Sequence, residues 1–596
     1  MKNIHLTLSF LIACSSVIFG QNGAWVRINQ LGYLPEDVKV AVFLSEKGKQ
    51  GTAFLIKDAV TGKAVIKGTG KQGNAARWGM NSALRLDFSL LKTEGKYYVE
   101  CNGAKSPVFA VNNNVYDGAA DFVLNYMRQQ RCGYNPFLDA ECHQHDGYIV
   151  DHPTLEGRYI DVRGGWHDAS DYLQYLTTSA TATFQMLFAW QQTPDKSIFG
   201  DKYDASGRKG ANGIPDILDE ARWGLEWMLR MNPDSALMFN QIADDRDHAN
   251  FRSPAADKVD YGWGPGTGRP VYPITGKPQG LSIYKNRSTG VSSSAAKYAS
   301  AFAMGADIFK TIDSDFSNKM EKKVLPAYHW SEAIPGNNQT VCTVSPYFYE
   351  EDNWVDDMEL AAATQYNLSK NNIWLKKADY WGQLEEVSPW IELNRARHYQ
   401  FYPFINLGHF YLGSSDDENI SKKYQGYMKK GLDFLKKRAE NYDDPFLNGV
   451  PFLWCSSNFV SAAVTQAMLY CELTGDTSFA EMEAALRDWL FGCNPWGTSM
   501  IVGLPENGDY PIFPHSSLVL EKKLPIGGLI DGPINRTIYE TRLGIKLERA
   551  DEYAPFQKGP AVYHDDIGDY SSNEPTMDGT AGLCYFLSRM QKKGQK

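Results

Sequence analysis

Hydrophobic and polar positions alternate in short runs over the first part of the chain. Between Trp25 and about Asn112, the apolar runs are separated by Gly, Asn, Lys and Pro, which is typical of β-strands joined by turns. The runs are WVRINQLGY, KVAVFL, TAFLIKD, LRLDFSLL, KYYVECN and PVFAVN. About seven short strands in roughly 90 residues predict a β-sandwich of the immunoglobulin type, which we place at residues 21–112.

From residue 113 onwards the apolar positions recur at helical spacing. In NNNVYDGAADFVLNYMRQQR, for example, Ala119, Phe122 and Tyr126 fall on one face of a helix. Comparable segments continue to the end of the chain and are long enough for about twelve helices. Long loops rich in Gly, Pro and aromatic residues separate them. Helices joined by alternating short and long connections predict a toroid of helical hairpins, with the long loops building one functional face.

Size and charge narrow the class of protein. A chain of 596 residues is too long for one compact core, so a large domain with a smaller one is expected. The formal net charge of -10 argues against a nucleic-acid partner. Aromatic residues make up 13% of the chain, which is typical both of sugar-binding surfaces and of large helical cores. The aromatic content therefore does not decide between them.

The N-terminal sequence predicts export. Residues 1–20 combine an early Lys, a short apolar run and small residues, which is the pattern of a signal peptide. LIAC resembles a lipoprotein cleavage box that would leave Cys14 lipidated, whereas the apolar SSVIFG after it favours cleavage near Gln21. No other segment reaches membrane-spanning length without charge. A secreted or periplasmic protein is expected, with a lipid anchor on Cys14 as the alternative.

The stretch RGGWHDASDY places two acids, Asp168 and Asp171, three residues apart behind two glycines. Such a spacing matches one helical turn, so both carboxylates can point to one side. Two carboxylates can hold a water between them and remove its proton. Alternatively, Asp168 or Ser170 only caps the helix that follows.

A second acidic stretch, YHDDIGDYSSNEPTMDGTAG, lies near the C-terminus. Its Glu574 precedes Pro575, which marks the junction between a loop and a helix. A glutamate held among acids and aromatic rings can keep its proton near neutral pH, as a general acid must. Alternatively, Glu574 only complements the dipole of the helix.

Cysteines and histidines form one candidate metal site. The nine cysteines show no dense disulfide framework, and the close pair Cys132 and Cys142 is accompanied by His143 and His167. Two Cys and two His make a closed tetrahedral zinc set, which would be structural and would anchor the loop of Asp168. The alternative is a Cys132–Cys142 disulfide, as expected in an exported protein.

Several of these stretches together resemble glycoside hydrolase family nine, the cellulase family of the six-hairpin fold. The resemblance rests on RGGWHDASDY and DYSSNE, supported by NGIPDILDEARWGLEWMLRM and FGCNPWGTSMIVG in the family's order. WVRINQLGYLP resembles the start of the immunoglobulin-like module that precedes many members. The resemblance implies a mostly α protein with an (α/α)6 catalytic domain, residues 113–596, after the β-sandwich.

The resemblance also implies roles for the acids. Asp171 corresponds to the general base, Asp168 to its partner in holding the attacking water, and Glu574 to the general acid. Members of the family invert the anomeric configuration, for which base and acid lie about 6.5–9.5 Å apart. Some members carry zinc at positions matching the Cys and His set. Calcium is also common in the family, but no ligands for it are identified in this sequence.

Substrate contacts are harder to assign. The family's His-Pro-His-His-Arg run is reduced here to His515, in ENGDYPIFPHSS, which is a candidate for sugar binding or a structural residue. The segment INRTIYETRLGIKLERADEYAPFQKGP is longer than the resemblance predicts, and it could close one end of the cleft. Trp263 and Trp454 are candidate stacking platforms, with burial in the core as the alternative.

We therefore expect an inverting endo-β-1,4-glucanase that acts on cellulose-like or soluble β-glucans. The alternatives are an exo-acting β-glycosidase of the same family that trims oligosaccharides, a zinc-dependent hydrolase, and a carbohydrate-binding protein without turnover. A polysaccharide or oligosaccharide partner and a monomeric state are expected, with no nucleic acid and no transmembrane segment.

Overall fold

The structure is a computed structural model that describes residues 23–235, 237–249, 251–344, 349–392 and 404–595. The predicted signal segment, residues 1–20 with Cys14, lies outside the described residues. Among the described helices, none combines the length and the apolar character needed to cross a membrane.

The N-terminal part of the chain forms two antiparallel sheets. One sheet has the order β1-β2-β6-β5, and the other has β4-β3-β7-β8 with β9 also paired to β7. Nine strands are described between residues 24 and 111, whereas about seven were predicted. The additional strands β5 and β8 have two residues each, too few to show an alternating pattern. The strands are β1 (Ala24–Arg27), β2 (Val40–Ser45), β3 (Ala53–Asp58), β4 (Ala64–Thr69), β5 (Lys71–Gln72), β6 (Ser82–Asp87), β7 (Gly95–Cys101), β8 (Ala104–Lys105) and β9 (Phe109–Val111).

Strand β2 is buried on both faces and joins the two parts of the molecule. Ala41 and Phe43 point into the core between the two sheets. Val42 and Leu44 point to the other side and belong to the large core of the helical part. Successive side chains of a strand point to opposite faces, so one apolar strand serves both cores. The β-sandwich is thus packed firmly against the helices that follow.

The rest of the chain is an (α/α)6 domain. Its described helices are α1 (Ala119–Gln129), α2 (Leu176–Gln192), α3 (Asp216–Met231), α4 (Ser292–Phe309), α5 (Ser314–Ala333), α6 (Val355–Ser369), α7 (Asn372–Gly382), α8 (Pro389–Glu392), α9 (Leu407–Gly413), α10 (Glu418–Asn441), α11 (Ser456–Thr474), α12 (Ala480–Leu490), α13 (Arg536–Tyr539), α14 (Met577–Gly582) and α15 (Cys584–Gly594).

Among these helices, α2, α4, α6, α9, α11 and α14 pack side by side in that order, and α14 returns to α2, which closes the inner ring. The helices α3, α5, α7, α10 and α12 pair with inner helices from outside, while α1 and α15 lie behind α14. The inner helix α4 is buried nearly all round and is rich in Ala and Ser, which allows close packing on every side. The outer α10 buries one apolar stripe and keeps its lysines out of the core.

The long loops of this domain contain short strands, and two of these strands lead into inner helices. The loop strands are β10 (Tyr134–Asn135), β11 (Ala140–Glu141), β12 (Tyr148–Ile149), β13 (Gln174–Tyr175), β14 (Phe239–Ile242), β15 (Pro270–Pro273), β16 (Leu529–Ile530), β17 (Ile534–Asn535), β18 (Ala561–Val562) and β19 (Pro575–Thr576). Strand β13 leads directly into α2, and β19 leads directly into α14. These two strands hold the loops that carry the predicted catalytic acids.

Candidate active site

Asp168 and Asp171 lie in a loop, and the predicted helical turn is wrong. Helix α2 begins only at Leu176, and Tyr175 precedes it without a side-chain capping bond, so neither Asp168 nor Ser170 caps the helix. The physical reason is the pairing of β13 with β14, which holds residues 174–175 in a strand. The loop is closed instead by its own backbone, since the N–H of Asp168 donates to the carbonyl of Leu173 at 3.0 Å.

The Asp168 carboxylate is buried and receives two hydroxyl hydrogen bonds. Thr178 Oγ1 donates to Oδ1 at 2.8 Å, and the Tyr349 hydroxyl donates to Oδ2 at 2.5 Å. Burial, and then the nearby charges of Asp171 and Asp578, raise the pKa of Asp168 well above its ordinary value. The two hydroxyl donors act in the opposite direction, because they stabilise the ionised form. With both oxygens engaged, this carboxylate is held in one orientation.

The Asp171 carboxylate has fewer fixed contacts. Its Oδ1 accepts the backbone N–H of Leu173 at 2.9 Å, and its Oδ2 lies 3.8 Å from Nε2 of His248. Burial raises the pKa of Asp171 well above its ordinary value, and the charges of Asp247 and Glu574 add to this effect. Asp171 therefore binds a proton more tightly than an ordinary aspartate, and it lies near Glu574, another of the predicted acids.

Glu574 is brought against the Asp168–Asp171 loop by strand pairing. Strand β19 pairs with β16, and the carbonyl of Glu574 accepts the N–H of Asp531 at 2.8 Å. Oε1 of Glu574 accepts the backbone N–H of Ser170 at 3.1 Å and also the Ser170 hydroxyl. In addition, the N–H of Met577 donates to the carbonyl of Asp168 at 3.2 Å. Residues more than 400 positions apart in the sequence thus form one unit.

The other acids of the C-terminal stretch have structural contacts. Asp565 accepts the N–H groups of Ile512 and Phe513 at 2.9 Å each. The Asp569 carboxylate accepts the hydroxyls of Ser571 and Ser572 at 2.7 and 2.8 Å. Asp565 thus ties a neighbouring loop to the stretch that carries Glu574, and Asp569 fixes that stretch from within.

The three predicted acids border one cavity of about 460 Å³. It lies where several loops enter inner helices, since Asp171, Tyr349, Trp454 and Glu574 precede α2, α6, α11 and α14 respectively. The volume falls within the range of about 300–1,000 Å³ that is usual for small-ligand pockets. The cavity is lined by Asp168, Ala169, Ser170, Asp171, Tyr175, Asp247, His248, Phe251, Arg252, Tyr349, Trp454, His515, Leu518, Leu543, Gly544, Glu548, Ile567, Gly568, Tyr570 and Glu574.

The three predicted substrate-binding residues differ in their positions. His515 lines the cavity, with its Nδ1–H donated to the carbonyl of Ile567 at 2.6 Å. Trp454 borders the cavity but is only 4% exposed, and its indole N–H donates to Asp531 at 2.8 Å. Trp263 is not among the described residues that line the cavity, and its ring stacks on Tyr148 at 4.7 Å.

Further polar residues of the cavity had not been predicted from the sequence. Asp247 and Arg252 form an ion pair of 2.5 Å, and Asp247 also accepts the N–H of Tyr172 at 2.6 Å, next to the candidate base. The sequence ADDRDHANFR contains this cluster of charges and His248. Tyr349 offers no comparable signal, because only the folded chain brings its hydroxyl to Asp168.

The predicted metal ligands also come together. The ligand atoms of Cys132, Cys142, His143 and His167 all lie within 4.8 Å of one another. The eight cysteines in the described part of the chain are free thiols, so the alternative Cys132–Cys142 disulfide is not formed. Among the described residues, this cluster is the one group of three or more His, Cys, Asp or Glu side chains that lie close enough to hold a metal ion. No separate set of calcium ligands is therefore identified in the described chain, and calcium stays a prediction.

Two of the distances between these atoms equal those expected between ligands of a tetrahedral zinc ion. Bonds of about 2.0–2.1 Å to nitrogen and 2.3 Å to sulfur separate two nitrogens by about 3.3–3.4 Å and nitrogen from sulfur by about 3.5–3.6 Å. Nδ1 of His143 lies 3.3 Å from Nε2 of His167 and 3.5 Å from Sγ of Cys132. The other ring nitrogen of His143 lies 3.0 Å from a carboxylate oxygen of Asp257, which is the usual support for a metal-binding histidine.

Comparison with known families agrees with this arrangement. A profile described as glycosyl hydrolase family 9 matches residues 116–587, and one described as a cellulase N-terminal Ig-like domain matches residues 21–106. The chain belongs to glycosyl hydrolase family 9. It is therefore a glycoside hydrolase, with an N-terminal Ig-like domain before the catalytic domain.

Relatives of this family 9 enzyme cover nearly its full length. It is 24% identical to a cellodextrinase of Butyrivibrio fibrisolvens, over 94% of this chain and 99% of the relative. It is 23% identical to a xyloglucan-specific endo-β-1,4-glucanase of Bacteroides ovatus, over 95% of this chain and 93% of the relative. At these identities the names of the relatives do not fix the substrate of this enzyme.

Solved structures share the fold of this family 9 enzyme. A metagenome-derived family 9 endoglucanase superimposes with a TM-score of 0.74 at 25% identity, covering 95% of this chain and 99% of the other. A zinc-binding triple mutant of the family 9 endoglucanase J30 superimposes with a TM-score of 0.73 at 22% identity, covering 94% and 99%. Both comparisons extend across the Ig-like and catalytic domains together.

Proposed function

We propose that this family 9 enzyme hydrolyses β-1,4-glucosidic bonds of cellulose-like or soluble β-glucans with inversion of configuration. The observation that carries the proposal is the convergence of Asp168, Asp171 and Glu574 on one cavity. An inverting glycosidase needs a base that activates water on one side of the sugar and an acid that protonates the leaving oxygen on the other. The names of the two relatives support a β-1,4-linked glucan as substrate.

Asp171 is the proposed general base, and Asp168 is its partner. Both oxygens of Asp168 already accept hydroxyl hydrogen bonds, from Thr178 and Tyr349, so this carboxylate is suited to holding the water in place. Asp171 has one backbone donor on Oδ1 and carries its other oxygen beside His248 at the cavity. The increased proton affinity that follows from burial and from Asp247 strengthens Asp171 as an acceptor of the water's proton.

Glu574 is the proposed general acid. Ser170 donates both its N–H and its hydroxyl to Oε1, so Oε2 is the oxygen that carries the proton to the glycosidic oxygen. The loop of Glu574 is fixed by the neighbouring acids Asp565 and Asp569, which accept several backbone and side-chain donors. A fixed acid loses little freedom on reaching the transition state.

Zinc is the proposed occupant of the cysteine and histidine cluster, in a structural role. A catalytic zinc keeps one coordination position open, whereas Cys132, Cys142, His143 and His167 supply four ligands. This disfavours the alternative of a zinc-dependent hydrolase. The metal would hold the loop of His167, whose neighbour is Asp168, through its bonds to the other three residues.

The domain boundary is proposed near residue 112, because β9 ends at Val111 and α1 begins at Ala119. The signal peptide at residues 1–20, export, a lipid anchor at Cys14 and a monomeric state stay predictions.

The test is a panel of β-1,4-linked and β-1,3-linked glucans, xyloglucan and cellopentaose, with analysis of the products. We expect hydrolysis of β-1,4 bonds and an α-anomer as the first product by proton NMR. Early internal products from cellopentaose indicate endo action, and release of single units indicates the exo alternative. A β-anomer as the first product, or no hydrolysis of any β-1,4-glucan, would contradict the proposal.

A further inference from the structure

Residues 541–549, here called the rim loop, form part of the cavity wall. Leu543, Gly544 and Glu548 of this loop line the cavity together with Glu574. The rim loop belongs to the segment between β17 and β18 that is longer than the family resemblance predicts. Leu543 is 87% exposed, so it lies at the mouth of the cavity and not in the core.

The rim loop is fixed to the loop that carries the candidate acid. The Asp566 carboxylate accepts the backbone N–H of Glu548 at 3.0 Å and that of Arg549 at 2.9 Å. The Tyr570 hydroxyl donates to the carbonyl of Leu543 at 2.7 Å. A carboxylate with two backbone donors and a hydroxyl on a backbone carbonyl hold both ends of the rim loop.

Close contact adds to these hydrogen bonds. A Cβ atom on Gly568 would lie 1.9 Å from the carbonyl oxygen of Lys546, so only glycine allows the two loops to touch. On the same side, the Arg542 guanidinium lies 5.4 Å from the ring centre of Trp454, which in turn is 5.7 Å from Tyr570. Trp454 is thereby covered by the chain itself. These contacts hold the rim loop against the loop of Glu574 at the edge of the cavity.

We propose that the rim loop closes one end of the substrate cleft and limits how many sugar units extend past the cleaved bond on that side. The proposal rests on the hydrolysis of β-1,4-glucans proposed above. A long chain in an open cleft extends beyond both ends of the site, whereas a wall at one end accepts only a chain end there. The enzyme then cuts at a fixed short distance from one chain end and prefers soluble cello-oligosaccharides to polymer.

The test compares the wild type with a variant in which residues 542–547 are replaced by two glycines. The readouts are kcat/KM on cellotriose to cellohexaose and on a soluble cellulose derivative, with product analysis. We expect the ratio of polymer to cellotetraose activity to rise by about tenfold or more in the variant, because even a small steric difference in a binding pocket discriminates by about 10- to 200-fold. The single dominant product length of the wild type should broaden in the variant.

A second variant keeps the test independent of loop deletion. Gly568→Ala forces the carbonyl of Lys546 outwards and should raise the same activity ratio, whereas Gly426→Ala, whose Cβ meets no atom within 4 Å, is the matched control and should not. The role of the rim loop is overturned if the loop-replacement variant or Gly568→Ala remains active on cellotetraose but shows an unchanged ratio of polymer to cellotetraose activity. A wild type inactive on every β-1,4-glucan instead overturns the proposed function.

Discussion

Removal of the Tyr349 hydroxyl tests the arrangement of the two aspartates most directly. In Tyr349→Phe, the ring keeps its volume but Oδ2 of Asp168 loses a donor at 2.5 Å. Thr178 remains as the donor to Oδ1 at 2.8 Å. The substitution therefore removes a hydrogen bond to a buried carboxylate and does not alter the side chains of Asp171 and Glu574.

A hydrogen bond to a charged group contributes about 1.5–3 kcal/mol, which corresponds to a fall in kcat of about 10- to 150-fold if the bond is needed to hold Asp168 in the transition state. The pH dependence has a definite sign. The hydroxyl stabilises the ionised form and lowers the pKa of Asp168, so its removal raises that pKa further. Ionised aspartate is then reached only at higher pH, and the acidic limb of the kcat profile moves to higher pH.

The assay is kcat against pH on cellotetraose, with the melting temperature measured in parallel. Tyr298→Phe is the control, since Tyr298 is fully buried and its hydroxyl donates to the carbonyl of Phe239 at 2.8 Å, among residues that do not line the cavity. The control should lose stability with an unchanged pH profile. A Tyr349→Phe enzyme with wild-type kcat and an unmoved acidic limb would refute the idea that this hydroxyl positions the pair of carboxylates, Asp168 and Asp171.

Three further predictions concern the acids and the metal cluster. Asp171→Asn should lower kcat by about 100- to 10,000-fold. Burial raises the pKa of Asp171, so ionising this carboxyl group destabilises the folded protein as the pH rises. The variant should therefore have a melting temperature no lower than that of the wild type by calorimetry at pH 7. Glu574→Gln should lose activity on cellotetraose but retain more on an aryl cellobioside with a good leaving group, and equal losses on both would exclude the acid role. Cys132→Ser should lower zinc content in metal analysis and the melting temperature, with folded enzyme still active at 25 °C; rapid inactivation by chelator at unchanged melting temperature would instead indicate a catalytic metal.

Much of the fold follows from local patterns. Alternating apolar residues predicted the N-terminal strands, and helical periodicity predicted the helical domain. The details that failed are those without a local signal. Strands β5 and β8 have two residues each, and the start of α2 is delayed to Leu176 by pairing with a strand more than 60 residues away. Pairing partners distant in sequence override local preference at such positions.

The chain by itself also contained the chemistry of the site, as residue types at particular spacings. Asp168, Asp171 and Glu574 were recognisable from their motifs, and so were the cysteines and histidines of the metal cluster. Their motifs are short and dense, so each is visible within a few residues. The rim loop was visible only as an insertion of unusual length.

Tertiary structure alone decided which side chains face one another. Asp565 and Asp569 share the motif of Glu574, yet Asp565 binds the backbone of Phe513 and Asp569 binds the N–H of Ser571 in its own loop. Glu574 instead meets Ser170 across more than 400 residues. Tyr349 reaches Asp168, and Trp263 stacks on Tyr148 away from the cavity lining. The physical reason is that hydrogen bonds, charge repulsion and burial depend on distances in space, which the closed ring of helices sets and the order of residues along the chain does not.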